Sequence, residues 1–200
     1  MSAREEILCG ILARRMRTAP LSDVHSPPIL LDPIGAFTER ARLANAEVQI
    51  IQSEGAITEA IADLLRSKNL PARLCVPEIA RELSWENAPG LTIETAAPGR
   101  EDTAIAIAQF GIAETGTLAY AAESRAPASW HFRAGFEIAV IHARNILPNM
   151  EELLRQVKNA GGLPSTLNFV TGPSRTGDIE QTLELGAHGP KALAILILKE

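Results

Sequence analysis

The sequence predicts an α/β fold: a mostly parallel sheet flanked by helices. Three observations carry that expectation. Short apolar runs bounded by Gly or Pro alternate with segments of helical periodicity. Several of those runs, such as ALAILIL near the C-terminus, are apolar throughout, as strands covered on both faces are. The 200 residues, 46% of them hydrophobic, suffice for one sizeable core and leave little room for a second.

Taken in order, residues 1–17 read as an N-terminal helical arm, with Ile7, Leu8, Ile11, Leu12 and Met16 at helical spacing and charges between them. That apolar stripe needs a surface to cover it. Residues 18–35, TAPLSDVHSPPILLDPIG, hold four prolines and read as a semi-rigid linker. The α/β domain is expected over 36–200. Phe37, Ala41, Ala44, Val48 and Ile51 share one helical face, and Ile57, Ala60, Ile61, Leu64 and Leu65 share another after the break at 53–55, so two helices are expected before the first strand. Strands are expected at 72–76, 91–95, 104–108, 117–121, 136–142, 167–171 and 193–198, and short helices at 78–83, 150–159 and 178–185. Sites in parallel sheets gather at the carboxyl ends of strands, and the candidate loops are expected to meet there.

A net charge of −5 and a pI near 5.5 argue against nucleic-acid binding, because phosphate neutralisation needs a basic field that the short Arg14, Arg15, Arg17 cluster does not supply. No stretch has the order of a signal peptide or the length of a membrane span, and a cytoplasmic location without membrane contact is the expectation. Cys9 and Cys75 lack CxxC spacing, which leaves no disulfide framework or thiolate cluster, and both read as buried small hydrophobes. His25, His131, His142 and His188 show no ligand spacing. No metal or cofactor is expected in this chain.

The stretch TGPSRTGDIE, 171–180, has a phosphate-loop outline in Gly172 to Gly177, but Asp178 and Ile179 stand where Lys and Ser or Thr would hold phosphates and magnesium. It also approaches a nucleophile elbow at Ser174, with Asp178 and His188 following, yet Thr176 replaces the second glycine and Asp178 lies too soon after the serine. Two readings stay open. Ser174 and Thr176 at a helix N-terminus, with the Arg175 fork, would seat a carboxylate or phosphate; or the hydroxyls merely cap the helix while Arg175 pairs with Asp178 or Glu180. In Glu114-Thr115-Gly116-Thr117 a carboxylate meets two hydroxyls in a tight turn, where the glutamate could serve as base or nucleophile. His188-Gly189-Pro190 sets an imidazole beside a rigid turn.

Together ETGTL at 114–118, TGPSRTGDIE at 171–180 and GAHGP at 186–190 resemble the signature of the LUD-domain family, and REEIL with the Phe37, Asn45, Val48 pattern extends the likeness over nearly the whole chain. The resemblance implies a fold similar to glucosamine-phosphate deaminases, ribose-phosphate isomerases and CoA-transferases. It also implies a role in oxidising L-lactate to pyruvate beside partner proteins, at least one carrying iron–sulfur clusters, with this chain as the cluster-free subunit. One position departs: SWHFRAGFEIAVI carries Glu137 where family members often have a histidine, and His131 is the residue that could stand in for it. The likeness of Glu114-Thr115-Gly116 to the Glu-x-Gly turn of CoA-transferases implies a glutamate able to form a thioester.

The function expected from this reading is that of a subunit of a cytoplasmic lactate-oxidising system. Its small-anion pocket is drawn from Thr115, Gly116, Thr117, Gly172, Ser174, Arg175, Thr176, Asp178 and Gly189, with Glu114 and His188 as candidate catalytic groups. The rivals are a stand-alone phosphosugar or acyl-CoA enzyme using Glu114, and a non-catalytic binding module. Homo-oligomerisation is left open.

Overall fold

A computed structural model describes residues 2–15, 30–122, 124–127, 130–161, 164–177 and 183–199. Helix α1 spans Ala3–Arg15, and Ile7, Leu8, Ile11 and Leu12 are all exposed on it. Cys9, on the same helix, is exposed, against the expectation of burial, whereas Cys75 is buried. Most of the expected linker, and Met16, lie outside the described residues; its last residues do not, and Pro33 opens α2 (Pro33–Leu43). Proline suits that first position, where a missing N–H costs nothing, and the Asp32 carboxylate caps the turn by accepting from Gly35 N at 2.9 Å.

The helix expected to run to Ile51 stops at Leu43. Asn45 takes the left-handed conformation (φ 67°), Ala46 N donates back to the Ala41 carbonyl, and the β-branched run EVQII becomes strand β1 (Glu47–Ile51). The first strand therefore falls between the two helices instead of after both. Helix α3 follows at Ile57–Ser67, then β2 (Arg73–Cys75), β3 (Thr92–Glu94), β4 (Thr103–Ile107), β5 (Phe110–Ile112), β6 (Thr117–Ala121), α4 (Trp130–Arg133), β7 (Phe136–His142), β8 (Ile146–Leu147), α5 (Met150–Asn159), β9 (Leu167–Val170), β10 (Arg175–Gly177), β11 (Leu183–Leu185) and β12 (Ala192–Leu198). The short helix expected at 78–83 is a single tight turn at Glu78–Ala80.

Six strands form a wholly parallel sheet in the order β1-β12-β7-β4-β2-β3, and a smaller mixed sheet runs β8-β5-β6-β9. Helix α3 covers one face of the large sheet, with Ile57, Ile61, Leu64 and Leu65 buried in a cluster that includes Ile138, Val140 and Leu196. Each of those side chains contributes roughly 1.5–3 kcal/mol on burial. The other face belongs to α2 and the small sheet, where Phe37, Leu118 and Tyr120 share a core with Ala139, Ile141 and Ile195. Beyond the small sheet, α5 buries Leu153 and Val157 on Ile112 and Ala119. Helices thus flank a mostly parallel sheet, as the alternating pattern implies.

Of the helix expected at 178–185, the described part, 183–185, is a strand. Leu183–Leu185 pairs antiparallel with Arg175–Gly177, Arg175 opposite Leu185, while 178–182 lie outside the described residues. Leu-Glu-Leu fits a period of two as well as a helical one, so three residues could not discriminate. Ser174 leads directly into strand β10 and not into a helix, so an anion seat built on a helix N-terminus at Ser174 and Thr176 is withdrawn. Among the described residues no helix is long and apolar enough to cross a membrane.

Candidate functional site

Two of the three motif loops meet face to face. Ser174 N donates to the Pro190 carbonyl at 2.8 Å, its own carbonyl accepts from Gly186 N at 3.0 Å, and its Oγ accepts from His188 N at 3.3 Å. Gly189 is pressed so closely on this strip that a β-carbon there would stand 3.2 Å from that of Ser174. Arg100 steadies the second loop from below, donating to the carbonyls of Gly186 (3.4 Å) and Ala187 (3.2 Å).

The third loop, ETGT, joins them only indirectly. Thr115, Thr117 and Thr171 form a chain of hydroxyls with 2.7 Å between successive oxygens. Gly116 (φ 67°) and Gly172 (φ 70°) both adopt the left-handed conformation with their backbones against the end of α2. A side chain at Gly116 would collide with the backbone of Arg40 and Ala41, and one at Gly172 with the Ala44 carbonyl. Glu114 turns away: its Oε1 accepts from Met150 N at 3.0 Å and satisfies one of the open donors at the start of α5, next to the Asn149 cap on Glu152 N. Its carboxylate is therefore engaged as a helix cap and does not line the cavity that the other two loops enclose. Thr176 lies in β10, opposite Glu184, and Asp178 is outside the described residues.

That cavity measures about 590 Å³ and is lined by Asn45, His131, Phe132, Thr171, Ser174, Arg175 and His188, among others. No described lining residue is acidic. Arg175 is exposed and makes no hydrogen bond or ion pair with a described residue. The loops converge at the amino ends of β7 and β12, since α4 precedes β7 and the Gly186–Pro190 turn precedes β12, with Lys191 N donating to Gly135 O at 2.8 Å between them. This corrects the carboxyl-end expectation. The segment after β9, Thr171 to Arg175, is bonded through Ser174 to the Gly186–Pro190 turn and builds part of the wall there, a contact that strand order alone does not reveal.

Behind the cavity wall lies a polar cluster of which the sequence had marked Glu137 and His131 but not Tyr120. Glu137 on β7 is fully buried, and Tyr120 on β6 donates its hydroxyl to Glu137 Oε1 at 2.7 Å. The His131 ring, itself 3% exposed, stacks on Tyr120 with centroids 3.8 Å apart and planes 21° apart, and its Nδ1 lies 4.0 Å from Glu137 Oε1. The two residues that the sequence singled out at this departure, Glu137 and His131, are thus neighbours in the fold. Burial pushes the Glu137 carboxyl up to about 8, partly offset by the hydrogen bond from Tyr120, and burial pushes His131 down to about 4. Burial also raises the Tyr120 phenol, helped by the adjacent Glu137. Glu137 Oε2, His131 Nδ1 and the amide nitrogen of Asn168, the cross-strand partner of Tyr120, are buried without hydrogen-bond partners. The available signal was a glutamate inside the otherwise apolar FEIAVI.

The LUD domain family model matches residues 99–198, the stretch from the turn before β4 to the end of β12 that contains every loop of the cavity except the end of α2. The chain belongs to the LUD domain family. The chain is 31% identical over 100 residues to lactate utilization protein C of Geobacillus kaustophilus, a match covering 48% of this chain and 42% of that protein. The corresponding protein of Halalkalibacterium halodurans is 30% identical over 120 residues, 58% of this chain and 52% of its own. Against these relatives the match spans about half their length. Lactate utilization protein C of Bacillus licheniformis aligns over 98% of this chain and 80% of its own, at 24% identity. A crystal structure of a DUF162 family protein from Deinococcus radiodurans shares the LUD fold, with a TM-score of 0.64 over 86% of this chain and 99% of that one, at 18% identity.

Proposed function

We propose that this LUD domain serves a cytoplasmic lactate-utilization system as a cluster-free subunit that binds a small carboxylate, lactate or pyruvate in scale, in the cavity at the β7–β12 amino edge. The observation that carries this reading is the cavity's lining. Arg175, unpaired with any described residue, stands with His188 and the hydroxyls of Thr171 and Ser174 around a space without a described acidic side chain. A guanidinium fork matches a carboxylate's two oxygens, and hydroxyl donors complete its shell. The names of the relatives supply the metabolic setting. With only two cysteines in the chain, a four-thiolate iron–sulfur centre has to reside in a partner protein.

The test is calorimetric titration of the purified protein with L-lactate, pyruvate and acetate, repeated with Arg175→Ala. At least one acid should bind, and the substitution should weaken it by about tenfold or more, the usual effect of removing a charged hydrogen-bond partner. Absence of binding, or equal binding by the variant, refutes the carboxylate reading. Co-purification of the tagged chain with an iron–sulfur protein from lactate-grown cells tests the subunit role separately.

A further inference from the structure

We propose that His131 and Glu137 form a proton-sharing dyad in the inner wall of the cavity, with His131 the acid–base group that meets the bound anion and Glu137 the residue that positions and recharges it. The proposal rests on the small-carboxylate reading for its ligand, but its geometry is independent of Arg175. His131 lines the cavity, and its Nδ1 is buried, without a hydrogen-bond partner and 4.0 Å from Glu137 Oε1, which leaves Nε2 as the nitrogen to meet a ligand. Glu137 in turn is anchored through Oε1 by Tyr120, and its Oε2 is the second buried polar atom lacking a partner. Buried orphan atoms are costly and rare, and here a histidine nitrogen and a carboxyl oxygen are left over on two side chains whose nearest polar atoms stand 4.0 Å apart. A histidine held between a buried carboxyl and an open cavity is the arrangement by which proteins set an imidazole's tautomer and strengthen it as a proton donor or acceptor.

The proton balance is closed within the chain. Burial keeps both groups uncharged near neutrality, with the proton on Glu137 and His131 neutral. When an anion enters and draws the His131 ring, the 4.0 Å gap between Nδ1 and the Glu137 carboxyl closes to hydrogen-bond distance, the carboxyl proton passes to Nδ1, and Nε2–H is donated to an oxygen of the ligand. One proton moves from Glu137 towards the anion, and the carboxylate left behind keeps the Tyr120 hydrogen bond. Above the Glu137 titration the proton is missing, and a fixed negative charge sits behind His131. Among the described residues, the titratable groups recorded against Glu137 are Tyr120 from β6 and His131 from α4; its lateral neighbours in the sheet, Ala104 on β4 and Leu193 on β12, carry no charge. Across the cavity stand Arg175 and His188.

Two measurements on the full chain decide it. In the ligand-free protein, the imidazole ¹⁵N signals of His131 should step near pH 8 as Glu137 ionises, and the step should vanish in Glu137→Gln. Affinity for L-lactate or pyruvate should fall by up to about tenfold per pH unit above about 8, and the same substitution should abolish that dependence while circular dichroism confirms folding. Absence of the ¹⁵N step, its survival in the Gln variant, or an affinity that is flat with pH in the unaltered protein overturns the dyad. If none of the acids binds, the carboxylate reading fails and the histidine titration alone judges the dyad.

Discussion

Tyr120 donates its phenolic hydrogen across the seam between the two sheets to Glu137, a 2.7 Å polar link set in a core that includes Phe37, Leu118 and Ile141. Replacing Tyr120 with Phe leaves a carboxyl oxygen buried with nothing to accept from, so the variant should lose about 1–3 kcal/mol in urea denaturation. Because the Tyr120 hydrogen bond pulls the Glu137 titration down, the same change should move it further above about 8.

The dyad also fixes how stability varies with pH. Glu137 is raised from 4.5 to about 8, so the folded state holds a proton that the unfolded chain gives up, and stability declines as pH climbs through that interval. His131 is lowered from 6.5 to about 4, so stability declines as pH drops through that interval. The two slopes oppose each other between about 4.5 and 6.5 and leave a plateau. From 6.5 to 8 only Glu137 acts, and stability should fall by up to about 1.4 kcal/mol per pH unit. Thermal unfolding across that range should show the fall in the unaltered protein and a flat line in Glu137→Gln.

Gly172→Ala places a methyl group on the Ala44 carbonyl in a left-handed residue. The conformation alone costs about 1–3 kcal/mol, and the collision must displace the end of α2. The midpoint of chemical denaturation should drop accordingly. Gly116→Ala, facing Ala41, should behave alike.

Glu114→Ala removes an α5 cap and should cost about 1 kcal/mol without changing anion affinity. Exposure to acyl-CoA donors followed by mass spectrometry should reveal no adduct at Glu114. An adduct, or lost anion binding, would restore the glutamate to the site chemistry.

Much of the frame was legible because its signals are local. Strands 117–121 and 136–142 and helix 150–159 coincide with β6, β7 and α5, each bounded by Gly, Pro or Asn caps and long enough for its period to show. EVQII was misread because Val48 and Ile51 also fit the helical face of Phe37 and Ala41, and the Asn45 stop outweighed that periodicity. The meeting of TGPSR with GAHGP was suggested by their joint occurrence, but its place at the amino edge depends on the bonds of Ser174 to the Gly186–Pro190 turn. Glu137 and His131 were marked in the sequence, but their arrangement was not legible there: the glutamate acquires its meaning from a tyrosine 17 residues away on a different sheet and a histidine stacked on that tyrosine.

Those last residues have a consequence for anyone redesigning the protein. Phe132 and Phe169 at the cavity mouth are each about two-fifths exposed and open to substitution, whereas the proton-bearing wall is made from the same side chains that seal the two sheets together. Library variation at the mouth can search ligand shape with folding left intact. Variation at Tyr120 or Glu137 tests chemistry and foldedness in one trait, so a variant that stops working there must be shown to be folded before its loss is read as chemistry.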